Sequence, residues 1–145
     1  MYLDYGTGRK HPKGFKTSDF TGSPKYDYMI EDYKIEELDD GVVDVLHCRN
    51  VIHHIVPEDV NKVIGEFRRL LKKGGELRIS EPKKEYFKQN KILDIIWYRY
   101  LYYDRDIYLP TFYYDFRRDI EEEYFYHSIT IDDFKNEIVI FRKRK

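Results

Sequence analysis

The sequence is short of several things, and each shortage closes off a class of function. Cys48 is the only cysteine, so no disulfide can form within the chain. A reducing, cytoplasmic setting is expected, and a structural zinc site built on thiolates is not. No apolar run approaches the roughly 20 residues a membrane helix needs, and the N-terminus lacks the order of a signal peptide. Net charge is only -1, from 26 basic and 27 acidic side chains. No global positive field therefore draws in nucleic acid or an anionic membrane, and neither partner is expected. Neither G-x-x-x-x-G-K-[ST] nor G-x-S-x-G occurs, which removes two common routes to phosphate binding and serine nucleophiles. His53 and His54 are adjacent. On a helix they diverge by about 100°, so they cannot share one metal as an i, i+4 pair does. No metal site is expected.

What is present is an ordinary globular balance over 145 residues, with aromatics at 17% through 15 tyrosines. That length is one domain, 1–145, with a core of real size. The clearest element is a helix over 57–73, where Val60, Val63, Ile64, Phe67, Leu70 and Leu71 share a stripe at helical spacing. Pro57 suits its first position, Glu58 and Asp59 its first turn, and Lys72 and Lys73 its last, with Gly74 as a left-handed cap. "GVVDVLHCRN" before it and "GELRISEP" after it read as strands. Strand, helix and strand at this spacing make a right-handed crossover within a parallel sheet. Shorter strands are expected near 1–4, 15–20 and 26–30. The end, "YFYHSITIDDFKNEIVIFRKRK", alternates about "DDFKNE" and reads as a hairpin. Between them, 83–122 is a helical and irregular insert, with a helix expected over 85–103. The fold class is α/β: a Rossmann-like, mostly parallel sheet ending in an antiparallel C-terminal hairpin at 123–145.

"YLDYGTGRKHPKGFKTSDF" carries the chemistry. Gly6 and Gly8 permit positive φ and a close approach of backbone to a ligand, though a plain tight turn uses them equally well. Asp19 stands where an acid at the end of a second strand accepts from ribose hydroxyls; it can also be a turn residue before Thr21-Gly22-Ser23-Pro24. It arrives only eleven residues after Gly8, too soon for an ordinary helix between the strands. A nicotinamide site fails here, because position 11 is His11 rather than a third glycine and no helix follows to receive a pyrophosphate.

In order, "LDYGTG", "TSDF", "MIEDY", "LDDGVVDVLHCRNVIHHI" and "VNKVIGEFRRLLKKGGELRISEP" resemble a class I S-adenosylmethionine-dependent methyltransferase of the small type 11 kind. The resemblance covers 1–82 and extends to the terminal hairpin, and it implies a reduced version trimmed at the N-terminus. It implies S-adenosylmethionine as cofactor and a transferase acting on an unknown methyl acceptor. By this resemblance Asp4 orients the glycine loop near the methionine amino group, or else caps loop amides. Asp32 matches the acid that contacts adenine, with Tyr33 beside it as a packing surface; an exposed loop acid is the alternative. Asn50, His53 and His54 follow the fourth strand, where relatives build the active-site wall. His54 and Glu81 are the candidate bases, and for His54 a packing role serves as well. The other class of function is a degenerate methyltransferase fold serving as a non-catalytic binding or interaction module.

A parallel sheet is normally apolar on both faces. With a helix for one face only, the stripe Ile92, Leu93, Ile96, Trp97, Tyr100 and Leu101 is expected to cover the other and to form a homodimer with Trp97 near the interface.

Overall fold

The computed structural model describes residues 1–55, 59–81, 124–131 and 137–143. The expected insert at 83–122, with its helix at 85–103, and the hairpin turn lie outside them. The elements run β1 (Tyr2–Tyr5), β2 (Lys16–Asp19), β3 (Tyr28–Met29), β4 (Val43–Arg49), α1 (Val60–Leu70), β5 (Leu71–Glu81), β6 (Tyr124–Ile131) and β7 (Glu137–Lys143). They form one seven-stranded sheet in the order β3-β2-β1-β4-β5-β7-β6. The first five strands pair in parallel, and β7 runs antiparallel to both β5 and β6. This is the α/β architecture expected from the sequence. Among the described residues, no helix is long and apolar enough to cross a membrane.

The core lies on one face. Val63, Ile64, Phe67 and Leu70 of α1 are buried with Leu3, Tyr5, Leu46, Cys48, Leu77 and Ile79 of the strands. The rings of Tyr5 and Phe67 meet edge to face, 5.0 Å between centroids. The segment 30–42 crosses on this side and buries Ile35 and Leu38. It is tied down by two side chains of α1. The buried Glu66 carboxylate accepts from the Ile35 amide at 3.0 Å and from Arg69 at 2.7 Å, and Arg69 donates to the carbonyls of Leu38 and Ile35 at 2.6 and 3.0 Å.

Two expectations are corrected. The helix stops at Leu70, not Lys73: Leu71 is fully buried and already pairs with Val43 in the sheet. Burying that side chain and its backbone in the ladder outweighs one more helical turn. Lys72 then lies beyond the helix and reaches Asp44 at 2.8 Å. Gly74 does adopt positive φ, +76°, but in a bulge between the pairs Val43–Leu71 and Val45–Glu76 rather than as a helix cap. Gly75 completes that bulge: a Cβ there would lie 2.8 Å from the Lys72 carbonyl and 3.2 Å from that of Val43.

The second correction concerns the opposite face. Register places Tyr2 beside Val45 and Asp4 beside His47, then Val45 beside Glu76 and His47 beside Arg78. This face of the central strands is therefore largely polar, not apolar. Asp4 and His47 pair at 2.7 Å, and Glu76 binds Arg78 at 2.5 Å and Arg142 at 3.4 Å. Among the described residues no helix packs there. The connection 6–15 between β1 and β2 contains no helix, as its length required, and brings Phe15 over the face. Its ring lies 5.3 Å from that of Tyr2 and 6.1 Å from that of His47.

Candidate functional site

The strand order reverses between β1 and β4, and in open parallel sheets ligands bind at the carboxyl edge of such a switch point. A cleft of about 350 Å³ opens there, lined by Gly6, Thr7, Gly8, Arg9, Lys10, Arg49 and Asn50. The loop leaving β1 needs its glycines for different reasons. Gly6 has φ +70° and its Cβ would sit 2.5 Å from the Val51 side chain; Gly8 has φ +61° and open space where a Cβ would point. Close packing against Val51 thus demands the first glycine, whereas the second leaves room over the cleft.

The loop is held from β2. The Thr7 amide donates to the Ser18 carbonyl at 2.7 Å, and the Gly8 amide donates to Asp19 Oδ2 at 2.9 Å. Asp19 is 9% exposed, and its other oxygen accepts from the Thr21 amide at 3.3 Å. Tyr26 adds a bond from its hydroxyl to the Gly8 carbonyl, 2.7 Å. Asp19 therefore joins the carboxyl ends of β1 and β2. Asp4 is buried in β1. Its carboxylate faces His47 beneath the loop, and its backbone carbonyl accepts from the hydroxyls of Thr7 and Ser18 at 3.1 and 2.9 Å.

Past β3, Asp32 and Tyr33 both have positive φ, +45° and +65°, in a tight turn closed by paired bonds between Glu31 and Lys34. Asp32 is largely exposed and lies 3.6 Å from Lys62. Tyr33 donates to Asp59 at 3.2 Å, and its ring meets Phe20 edge to face at 6.1 Å. Burial, followed by the Asp59 charge, raises the Tyr33 hydroxyl above the usual tyrosine pKa. On the other flank Asn50 takes φ +55°, and its amide donates to the Ser80 carbonyl at 2.8 Å. His54 closes a short 3-10 turn, Ile52–His54, and is exposed. Glu81 ends β5 at this same carboxyl edge; its side chain and that of His53 are not described.

Gly6, Gly8 and Asn50 thus share one cleft, Asp19 braces it, and Asp32 and Tyr33 stand one strand further out. Sequence reasoning missed the cations: Arg9 and Lys10 directly follow the glycine loop, and Arg49 ends the strand across the switch point. It also missed Phe20, 43% exposed beside Tyr33, and His47 as the partner of Asp4. A signal existed for Arg49 and His47, since both belong to a strand that must neighbour β1.

Comparison with known proteins fits this geometry. Residues 13–79 match the family described as a methyltransferase domain. The match begins past Gly6 and Gly8, so those two rest on their geometry. No curated protein matches the chain. Among solved structures, a protein from Pyrococcus horikoshii OT3 superposes with TM-score 0.68 at 13% identity, over 99% of this chain and 81% of its own. An S-adenosylmethionine-dependent methyltransferase from Mesorhizobium loti gives 0.60 at 12% identity, over 97% of this chain and 89% of its own. One from Aquifex aeolicus gives 0.55 at 17%, over 99% and 81%.

Proposed function

We propose that the chain is a class I S-adenosylmethionine-dependent methyltransferase, on the match of residues 13–79 to a methyltransferase domain and on the shared fold, and that the cleft at the β1–β4 switch point holds the methionine end of that cofactor. The observation that carries the reading is the Gly6–Gly8 loop, fixed by Asp19 so that open space remains over Gly8. Asp19 then serves the ribose through lone pairs left beside its two amide bonds. Phe20 and Tyr33, with Asp32, flank the adenine. Asn50 closes the methionine side, and Asp4 supports the loop from below through its backbone carbonyl, which accepts from the Thr7 hydroxyl. When bound, S-adenosylmethionine supplies a methyl group on a sulfonium, already activated for in-line displacement. The chain's share is placement, which can contribute up to ~7–11 kcal/mol when the reacting atoms are aligned. An acceptor with a proton to lose needs a base at this edge, and His54 and Glu81 are the proposed ones. We place this activity in the cytoplasm, in one domain spanning 1–145. A homodimer through the Trp97 segment stays part of the proposal on the width of that stripe alone, and light scattering across a dilution series tests it.

Isothermal titration with S-adenosylmethionine and with S-adenosylhomocysteine is the deciding measurement. Asp19→Ala should weaken both by about 1–3 kcal/mol, because an acceptor for the loop amide and the ribose is lost together. Circular dichroism of the variant controls for folding. A wild-type protein without affinity for either compound at millimolar concentration would leave only the non-catalytic binding module.

A further inference from the structure

The turn after β3 is strained in a way that its own hydrogen bonds do not require. Glu31 and Lys34 close it with two mutual backbone bonds of 2.9 Å, and both residues between them have positive φ, Asp32 at +45° and Tyr33 at +65°. A two-residue turn of this kind favours glycine, above all at its second position, because a Cβ is strained there. A bulky tyrosine in that conformation persists only where its surroundings hold it, and such strain gathers at functional sites. Tyr33 is held from three directions. Its carbonyl accepts from the Tyr5 hydroxyl at 2.7 Å, its own hydroxyl donates to Asp59 Oδ2 at 3.2 Å, and its ring meets that of Phe20 edge to face.

Asp59 supplies an independent observation. It is the N-cap of α1, where an aspartate normally accepts from the first amides of the helix, yet its side chain makes no cap bond. The carboxylate is turned to the Tyr33 hydroxyl instead, with Lys62 at 3.4 Å. Lys62 also stands 3.6 Å from Asp32, so α1 reaches both central residues of the turn. Those ion pairs are exposed and screened, and contribute little. On the adenine reading above, we propose that Asp59 is a positioning residue, whose carboxylate fixes the Tyr33 ring beside Phe20 and so shapes the surface that receives the cofactor's adenine. A ring already fixed loses no freedom when the ligand arrives, which favours binding.

S-adenosylhomocysteine and adenosine are titrated calorimetrically into wild type, Tyr33→Phe, Asp59→Ala, Asp59→Asn and the double variant Tyr33→Phe with Asp59→Ala. Tyr33→Phe and Asp59→Ala should each weaken both compounds about fivefold. The double variant should be no weaker, because one bond is being removed from either end. Asp59→Asn keeps an acceptor and should bind within about twofold of wild type. Asp59 caps no amide, so helix content by circular dichroism should not change; were Asp59→Ala to lose it, Tyr33→Phe and Asp59→Asn carry the test. The assignment falls if Tyr33→Phe binds both compounds like wild type. It falls equally if Asp59→Asn is as weak as Asp59→Ala, which would make charge rather than the hydroxyl bond responsible, or if the two losses add in the double variant. Wild type that binds neither compound overturns instead the cofactor reading on which the assignment rests.

Discussion

On the α1 side of β1, β4 and β5, Leu3, Tyr5, Leu46, Cys48, Leu77 and Ile79 are each no more than 1% exposed. On the other side the same strands alternate to Asp4, Val45, His47, Glu76 and Arg78. One pleated surface thus obeys two rules. The first side is held by contact area, which is non-directional and tolerant of swaps that keep volume. The second is held by specific partners, and a buried polar group there is costly only when its partner is removed. A trimmed connection explains why both can coexist. Where a helix would have demanded an apolar floor, residues 6–15 lay down a loop and Phe15, and the floor can carry charge.

The largest expected effect is on the apolar side. Phe67→Ala removes a fully buried ring from between α1 and Tyr5 of the sheet and should cost about 3–5 kcal/mol in urea unfolding. Phe67→Leu, nearer in volume, should cost much less. Similar losses from the two variants would mean that α1 does not seal this face.

Next comes the contact that bridges α1 to segment 30–42. Arg69→Met keeps the aliphatic stem but strands the Glu66 carboxylate and two carbonyls. A loss of about 2–3 kcal/mol is expected, together with faster proteolysis within 30–42. An unchanged cleavage pattern would show that Ile35 and Leu38 anchor the segment without the ion pair.

The polar side is probed by a double-mutant cycle. His47→Leu alone should cost about 1–2 kcal/mol, because the Asp4 carboxyl loses its hydrogen-bond partner in a site only 3% exposed. Asp4→Val combined with His47→Leu should cost less than the sum of the single changes, with coupling near 1 kcal/mol. Strict additivity would make this face an ordinary packed surface and erase the distinction between the two sides.

The sequence made these differences legible unevenly. The helix stripe, the strand–helix–strand crossover and the terminal hairpin were readable, because period 3.6 and period 2 are local signals. The position of the candidate site was readable to the extent that it lies at strand ends: Gly6, Gly8, Asp19 and Asn50 follow or end strands of a parallel sheet. The helix terminus was not, since Leu71 leaves the helix for a ladder partner, Val43, that is remote in sequence. The pairing of Asp4 with His47 was hidden for the same reason. Two residues 43 apart become neighbours only through a register that no single strand encodes. The expectation of a second apolar face came from applying a rule for fully covered parallel sheets to one whose first connection is too short to cover it.

The smallest expected change sits on the apolar side yet titrates. Tyr5 is fully buried, and its hydroxyl donates to the Tyr33 carbonyl at 2.7 Å. Burial, with the neighbouring Cys48 and Glu66 adding to it, raises its pKa far above the ordinary value of 10.0. A raised folded-state pKa gives stability that is complete below the unfolded value and is lost as pH climbs beyond it. The Tyr5 contribution should therefore be constant up to about pH 10 and then fall by at most ~1.4 kcal/mol per pH unit, the weight of one proton. Tyr5→Phe cannot ionise, but it leaves the Tyr33 carbonyl without its donor, so near pH 7 it should be less stable than wild type by about 0.5–1.5 kcal/mol. Above pH 10 wild type declines more steeply, and the two stabilities should converge and cross. Tyr33 is shifted in the same direction and titrates in both proteins. Urea midpoints from pH 7 to pH 11 provide the measurement. Curves that stay parallel would mean that the Tyr5 hydroxyl reaches water, and that the apolar side is less tightly sealed than its neighbours imply.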